Sequence, residues 1–162
     1  MHSDPTYLAA FDRLYPKVAA KIGGRPEVLF AVEKPPQRHG LVEKHVLVGM
    51  YDHQHRRSLL AVMDMERQTV VDVHPAGVQF QLSEKERREA ERIASQDKRV
   101  REVLAGRPMD PLTRLYLPKG GSGNRHAIVF LRPSSSERWF AIVDLTSGST
   151  VQVISRRQLA GQ

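Results

Sequence analysis

The stretch "LLAVMDMERQTVVDV", Leu59–Val73, is answered by "WFAIVDLTSGSTVQV", Trp139–Val153. Ala61 and Asp64 fall on Ala141 and Asp144, eighty residues on. The match extends in both directions with a small drift. His45 and His126, each at the start of a valine-rich run, lie eighty-one apart, and the corners "GGRP" ending at Pro26 and "AGRP" ending at Pro108 lie eighty-two apart. Any two amphipathic units share an apolar pattern because burial imposes one. Burial does not explain a repeated glycine-arginine-proline corner or an offset that changes only at loops, so the chain reads as one unit used twice. A period this long, in two copies only, is not that of a solenoid.

Each copy begins with a helix. Ser83 with Glu86 three residues on forms a capping box, and Ala90, Ile93, Ala94, Val100 and Leu104 follow at helical spacing. The pattern predicts a helix over 84–105, closed by Gly106. Upstream, Asp4 as cap and Pro5 at the first helical position open a segment with Leu8, Phe11, Leu14, Val18 and Ile22 on one side. Pro16 removes a hydrogen bond inside it and predicts a kink or split there. The period then changes to strands, at Val28–Val32, Val42–Tyr51, Ser58–Met65 and Val70–His74, and again at Thr113–Leu117, His126–Arg132, Trp139–Leu145 and Thr150–Ile154. The fold class is therefore α+β, two tandem repeats over 1–80 and 81–162, each a helix packed on a four-stranded antiparallel sheet. The third strands are apolar on both faces, so each sheet wants two covers: its own helix, and either the twin sheet or a partner.

Composition narrows the class. At 162 residues, 40% hydrophobic and 27% charged, the chain can bury a real core and is unlike a disordered one. The absence of cysteine excludes disulfides, thiolate metal sites and cysteine nucleophiles. With no leader pattern and no membrane-length apolar run, a soluble cytoplasmic protein is expected. The net charge of +7 would favour anions. In "SEKERREAERIASQDKRVRE", however, basic and acidic residues are mixed as on a solvated helix, and nucleic-acid binding is not the expectation, for base-stacking aromatics and a known reader fold are missing.

"EVLFAVEKPP", Glu27–Pro36, and "AVMDMERQTVVDVHPAGVQFQLSEKERREAERIASQDKRVREVLAGRPMDP", from Ala61 onward, resemble the second and third amino-terminal domains of copper-dependent amine oxidases. The resemblance implies small cystatin-like units without catalytic groups, and it covers nearly the whole chain. That family's oxidation chemistry resides in a large carboxy-terminal domain with topaquinone and copper-binding histidines. No such domain is present here, Tyr7, Tyr15, Tyr51 and Tyr116 do not match the cofactor motif, and no catalytic residue or cofactor is carried over.

Several residues remain as candidates. His45 with Asp64 and His126 with Asp144 form a histidine-carboxylate pair in each copy, able to orient a ring for proton transfer or to bind a ligand. Their recurrence in both copies favours a structural role. Arg88, Arg92 and Arg99 are the candidate anion-binding face. His53 and His55, in "YDHQHRR", are spaced to ligate a metal from one side of a strand, with a third ligand needed from His39 or His45. "KGGSG", Lys119–Gly123, lacks the phosphate-loop spacing, and Trp139, in an alternating apolar strand, reads as core. The expectation is a non-catalytic recognition or accessory module, with a protein partner, a second copy of itself or a small ligand. The alternatives are a small lyase, isomerase or cyclase with a pocket between helix and sheet, and a basic anion- or nucleic-acid-binding protein.

Overall fold

A computed structural model of the chain describes residues 3–35, 44–121 and 123–161. The chain divides into two compact units, Met1–Phe80 and Gln81–Gln162. The first contains helix α1 (Pro5–Ile22) and strands β1 (Glu27–Glu33), β2 (His45–Asp52), β3 (Arg57–Asp64) and β4 (Thr69–Pro75). The second contains helices α2 (Glu84–Gln96) and α3 (Lys98–Leu104), strands β5 (Leu112–Tyr116), β6 (His126–Leu131), β7 (Trp139–Asp144) and β8 (Ser149–Ser155), and a short helix α4 (Arg156–Leu159). Each unit has one four-stranded antiparallel sheet, its strands in chain order. Among the described residues, no helix is long and apolar enough to cross a membrane.

The duplication holds at the level of single rungs. In the first unit Ala61 faces Val73, Val62 faces Asp72, and then the ladder skips Val71 so that Met63 faces Val70. In the second Ala141 faces Val153, Ile142 faces Gln152, and the ladder skips Val151 so that Val143 faces Thr150. The same residue bulges out of the last strand in both copies, and both bulged valines are exposed. Bulges of this kind are specific features that bend and twist a strand.

Alternation explains how each helix meets its sheet. In the first unit Val46, Val48, Met50, Leu59, Ala61 and Met63 share one sheet face with Ala31 and pack under Ala10, Phe11, Leu14 and Val18 of α1. In the second, Ala127, Val129, Leu131, Ala141 and Val143 pack under Ala90, Ile93 and Ala94 of α2 and Val100 and Leu104 of α3. Trp139 packs half-buried against this second core. Full burial of one such side chain is worth about 1.5–3 kcal/mol. The opposite face of the second sheet carries a separate buried cluster, Ile128, Phe140, Ile142 and Ile154, flanked by Tyr116, Phe130 and Leu159.

The two helical segments reverse the expectation for where a helix should break. α1 runs unbroken through Pro16. Pro16 is on the exposed side, where water can take the carbonyl that loses its amide partner. The segment predicted to be continuous over 84–105 is split instead. Asp97 adopts an extended conformation (φ −72°, ψ 131°) and caps α3 by accepting from the Arg99 amide at 2.8 Å. Aspartate competes for backbone amides in this way, and a cap inside an apolar stripe is a helix start. The second strand begins at His45 within the described residues, and its expected first residues, 42 and 43, lie outside them. α4 was not expected; its signal is the Ser155–Gln158 capping box.

Gly49 faces Phe30 across the β1–β2 ladder, on the sheet side away from α1, where Phe30 also meets Phe80 edge-to-face at 5.0 Å. A Cβ at position 49 would collide with the Phe30 ring. Gly49→Ala is expected to destabilise the first unit by about 1–3 kcal/mol through overpacking, and adding Phe30→Leu should restore part of the loss. Denaturant unfolding of the three variants checks this, and a Gly49→Ala protein as stable as the parent would contradict the packing described.

Candidate functional site

The two aspartates that recur in both copies perform one task. Asp64 Oδ1 accepts from the amides of Glu66 (2.9 Å) and Arg67 (3.0 Å), and Asp144 Oδ1 accepts from those of Thr146 (2.8 Å) and Ser147 (3.0 Å). Each thereby closes the hairpin that leads into the bulged strand, an Asx turn. Each chain reversal includes a residue at positive φ, Gln68 (52°) in one copy and Gly148 (72°) in the other. At Asp64, the Arg67 amide, then the Glu66 amide and the Arg67 and His45 charges, outweigh desolvation and hold the carboxyl below the ordinary aspartate range.

His45 faces Asp64 and His126 faces Asp144 on the equivalent rung, so each pair that the sequence suggests does come together. In the second unit the His126 ring is nearly buried. Its Nδ1 donates to the Asn124 carbonyl at 3.0 Å, which fixes the proton on that nitrogen. Its Nε2 lies 3.7 Å from Asp144 Oδ2, an oxygen that accepts from the Asn124 side-chain amide at 2.8 Å. Burial pushes the Asp144 carboxyl up, but the Asn124 side chain, the Ser147 and Thr146 amides and the His126 charge outweigh it, and the carboxyl is held below its ordinary value. Three hydrogen bonds tie this carboxylate to the fold.

His126 also lines a recess of about 490 Å³ on the sheet face away from α2. Tyr116, Lys119 and Gln152 supply the other polar groups, and Ile142, Val151 and Leu159 the apolar wall. The volume lies within the usual range for small-molecule sites, and so does the mixture of an apolar wall with a few polar groups. Between helix and sheet the first unit has a smaller recess of about 260 Å³, where Lys17 and Lys21 of α1 meet Gln68, Thr69 and Val73; deeper in, Phe11, Met63, Val100 and Val143 are almost completely buried.

Beside this corner lies an ion pair that sequence reading missed. Arg125 is fully buried, and its Nε and Nη2 donate to Glu86 Oε1 (2.5 Å) and Oε2 (2.9 Å). Nη2 also donates to the Gln81 carbonyl at 3.0 Å, while Glu86 Oε2 accepts from the Ser83 amide. The pair thus ties the capping box of α2 to the start of β6. Its counterpart position in the first unit is Lys44, which is exposed.

The remaining candidates are placed as follows. His53 Nε2 pairs with Glu27 at 3.1 Å, and His55 Nδ1 pairs with Asp52 at 2.6 Å, so the two rings turn to different carboxylates. His45 is at the far end of β2, roughly 23 Å from this tip at about 3.3 Å per residue, and cannot be the third ligand; His39 lies outside the described residues. Among the described residues no group of three or more histidine and carboxylate side chains is placed to hold a metal. Arg88 pairs with Glu84, Arg92 with Glu89, and Arg99 with Asp97, each an exposed side chain beside a carboxylate close to it in sequence. No protein-family model matches the chain, and no curated protein matches it.

Two stability predictions follow from these contacts. Arg125→Met alone leaves a buried carboxylate uncompensated and is expected to cost about 3–5 kcal/mol, whereas Arg125→Met with Glu86→Leu should cost clearly less; urea unfolding of single and double variants checks it. Asp144→Asn should cost about 1–3 kcal/mol at neutral pH. Because the folded-state carboxyl is depressed, its contribution is full above the unfolded value near 3.8 and fades as pH falls through the folded value. The gap between parent and variant should therefore narrow below about pH 4. A gap that is constant with pH would mean that ionised Asp144 is not what holds the turn.

Proposed function

We propose that this chain is a non-catalytic recognition module, with the recess under His126 as its binding site for a small polar ligand. The observation that carries this reading is the commitment of Asp144 to its turn. The carboxylate that would activate His126 as a base holds two backbone amides and a side-chain amide, as Asp64 holds the equivalent turn in the other copy. The polar groups that line the recess beside its apolar wall are Tyr116, Lys119, His126 and Gln152. The recess between α1 and β4 has neither a histidine nor a carboxylate in its lining, which counts against the lyase, isomerase or cyclase reading placed between helix and sheet. The resemblance to the side domains of amine oxidases supports an accessory role of this kind.

A thermal-shift screen of small metabolites grouped by charge tests the proposal. A ligand present at a hundred times its Kd adds about 2.7 kcal/mol to the stability of the folded chain, a rise in Tm of several degrees. The expected outcome is a class of ligand that gives such a rise, is recovered chemically unchanged, and loses the effect with Gln152→Leu or Tyr116→Phe. Conversion of the bound compound by the parent protein, abolished by His126→Gln, would establish the enzymatic reading in its place.

A further inference from the structure

A second recess, of about 310 Å³, lies at the other end of the same sheet. Leu112, Phe130 and Phe140 form its apolar wall and Arg132, Arg138 and Arg156 its polar one, with Trp139 at its border. No carboxylate lines it. None of the three arginines is ion-paired among the described residues, in contrast to Arg57, Arg67, Arg87, Arg88, Arg92, Arg99 and Arg125, each of which is paired with an aspartate or glutamate. The amide of Arg156 donates to the Arg138 carbonyl at 3.0 Å, so the last strand and the strand before it bring two of these cations together by main-chain bonding. Glu137, the nearest acid in sequence, makes its contact through its amide, to Ser134 Oγ.

The duplication sharpens the contrast. In the first unit the rung beyond Met50 and Leu59 is Tyr51 facing Ser58, both buried. The corresponding rung beyond Leu131 and Trp139 falls on Arg132 and Arg138, both exposed. One copy seals this end of the sheet, and the other lines it with positive charge. Like charges gathered without a counter-ion repel one another, and the arrangement becomes favourable when an anion completes it. Guanidinium forks match the oxygens of phosphate and carboxylate, and the face of an indole or phenyl ring takes a flat apolar group.

We propose that this recess binds an organic phosphate or carboxylate, its anionic group held among Arg132, Arg138 and Arg156 and its flat apolar body against Phe130 and Phe140. The site is independent of the recess under His126.

Trp139 is the chain's one tryptophan and borders this recess, so its fluorescence is the readout. The full chain is titrated with phenyl phosphate, benzoate, inorganic phosphate and benzyl alcohol. The expected result is a saturable change with phenyl phosphate, benzoate or both, at a Kd at least about tenfold below those of inorganic phosphate and benzyl alcohol, which corresponds to about 1.4 kcal/mol. The phenyl phosphate and benzoate arms together tell which anion is preferred. Added salt should weaken binding. Arg138→Gln with Arg156→Gln should raise the Kd by about tenfold or more, Arg132→Gln alone should raise it measurably, and Arg88→Gln with Arg92→Gln should leave it unchanged. Binding should also survive His126→Gln, which separates this site from the one proposed above. Absence of a saturable change with both aromatic anions, equal binding of benzyl alcohol or of inorganic phosphate, or indifference to all three arginine substitutions would overturn the proposal.

Discussion

A strand that slips by one residue turns its whole apolar set to the wrong side of the sheet, and both sheets here rely on the same device against that error. An aspartate at the end of the third strand gathers two amides from the turn that follows, and the register downstream of it is fixed, including the residue expelled at the bulge. From that register come the alternation of core and outer residues, the fit of the helix stripe above them, and the partner each histidine faces. The turn-closing role that this aspartate has in both copies is a requirement of folding.

Where the copies agree, the residues serve packing and turns; where they differ, the second unit has acquired charge. It has a buried Arg125–Glu86 pair where the first has an exposed lysine, and two arginines at a sheet end where the first has a buried tyrosine and serine. A buried pair is weak evidence for added stability. Its physical effect here is to join a helix start to a strand start, through bonds to Ser83 and Gln81 on one side and to β6 on the other. The polar recesses found beside His126 and beside Trp139 both belong to this unit.

Periodicity was enough to read the α+β class and the eight strands, because those depend on local alternation. Two features escaped it for opposite reasons. Pro16 is tolerated because its side of the helix is wet, which only the burial pattern reveals, and Asp97 interrupts a stripe of good helix formers because a capping hydrogen bond outweighs weak propensities. Arg125 was invisible because its partner stands 39 residues away and nothing in "GNRHAIV" marks an arginine as buried. The basic recess was missed in a similar way: Arg132, Arg138 and Arg156 are scattered in sequence, whereas the conspicuous arginines on the long helix already have partners beside them.

The expelled residues have a bearing on how copies of this chain could meet. Both outer strands of the first sheet carry a bulge, at Leu29 and at Val71, and the second sheet has one at Val151 in its last strand. A bent border is a poor template for a further strand. The uninterrupted border is β5, five residues long with exposed Arg114 at its centre. Strand-by-strand polymerisation is thereby discouraged at three borders by shape and at the fourth by brevity and charge, so any self-association would have to proceed through side chains on faces and not through shared backbone.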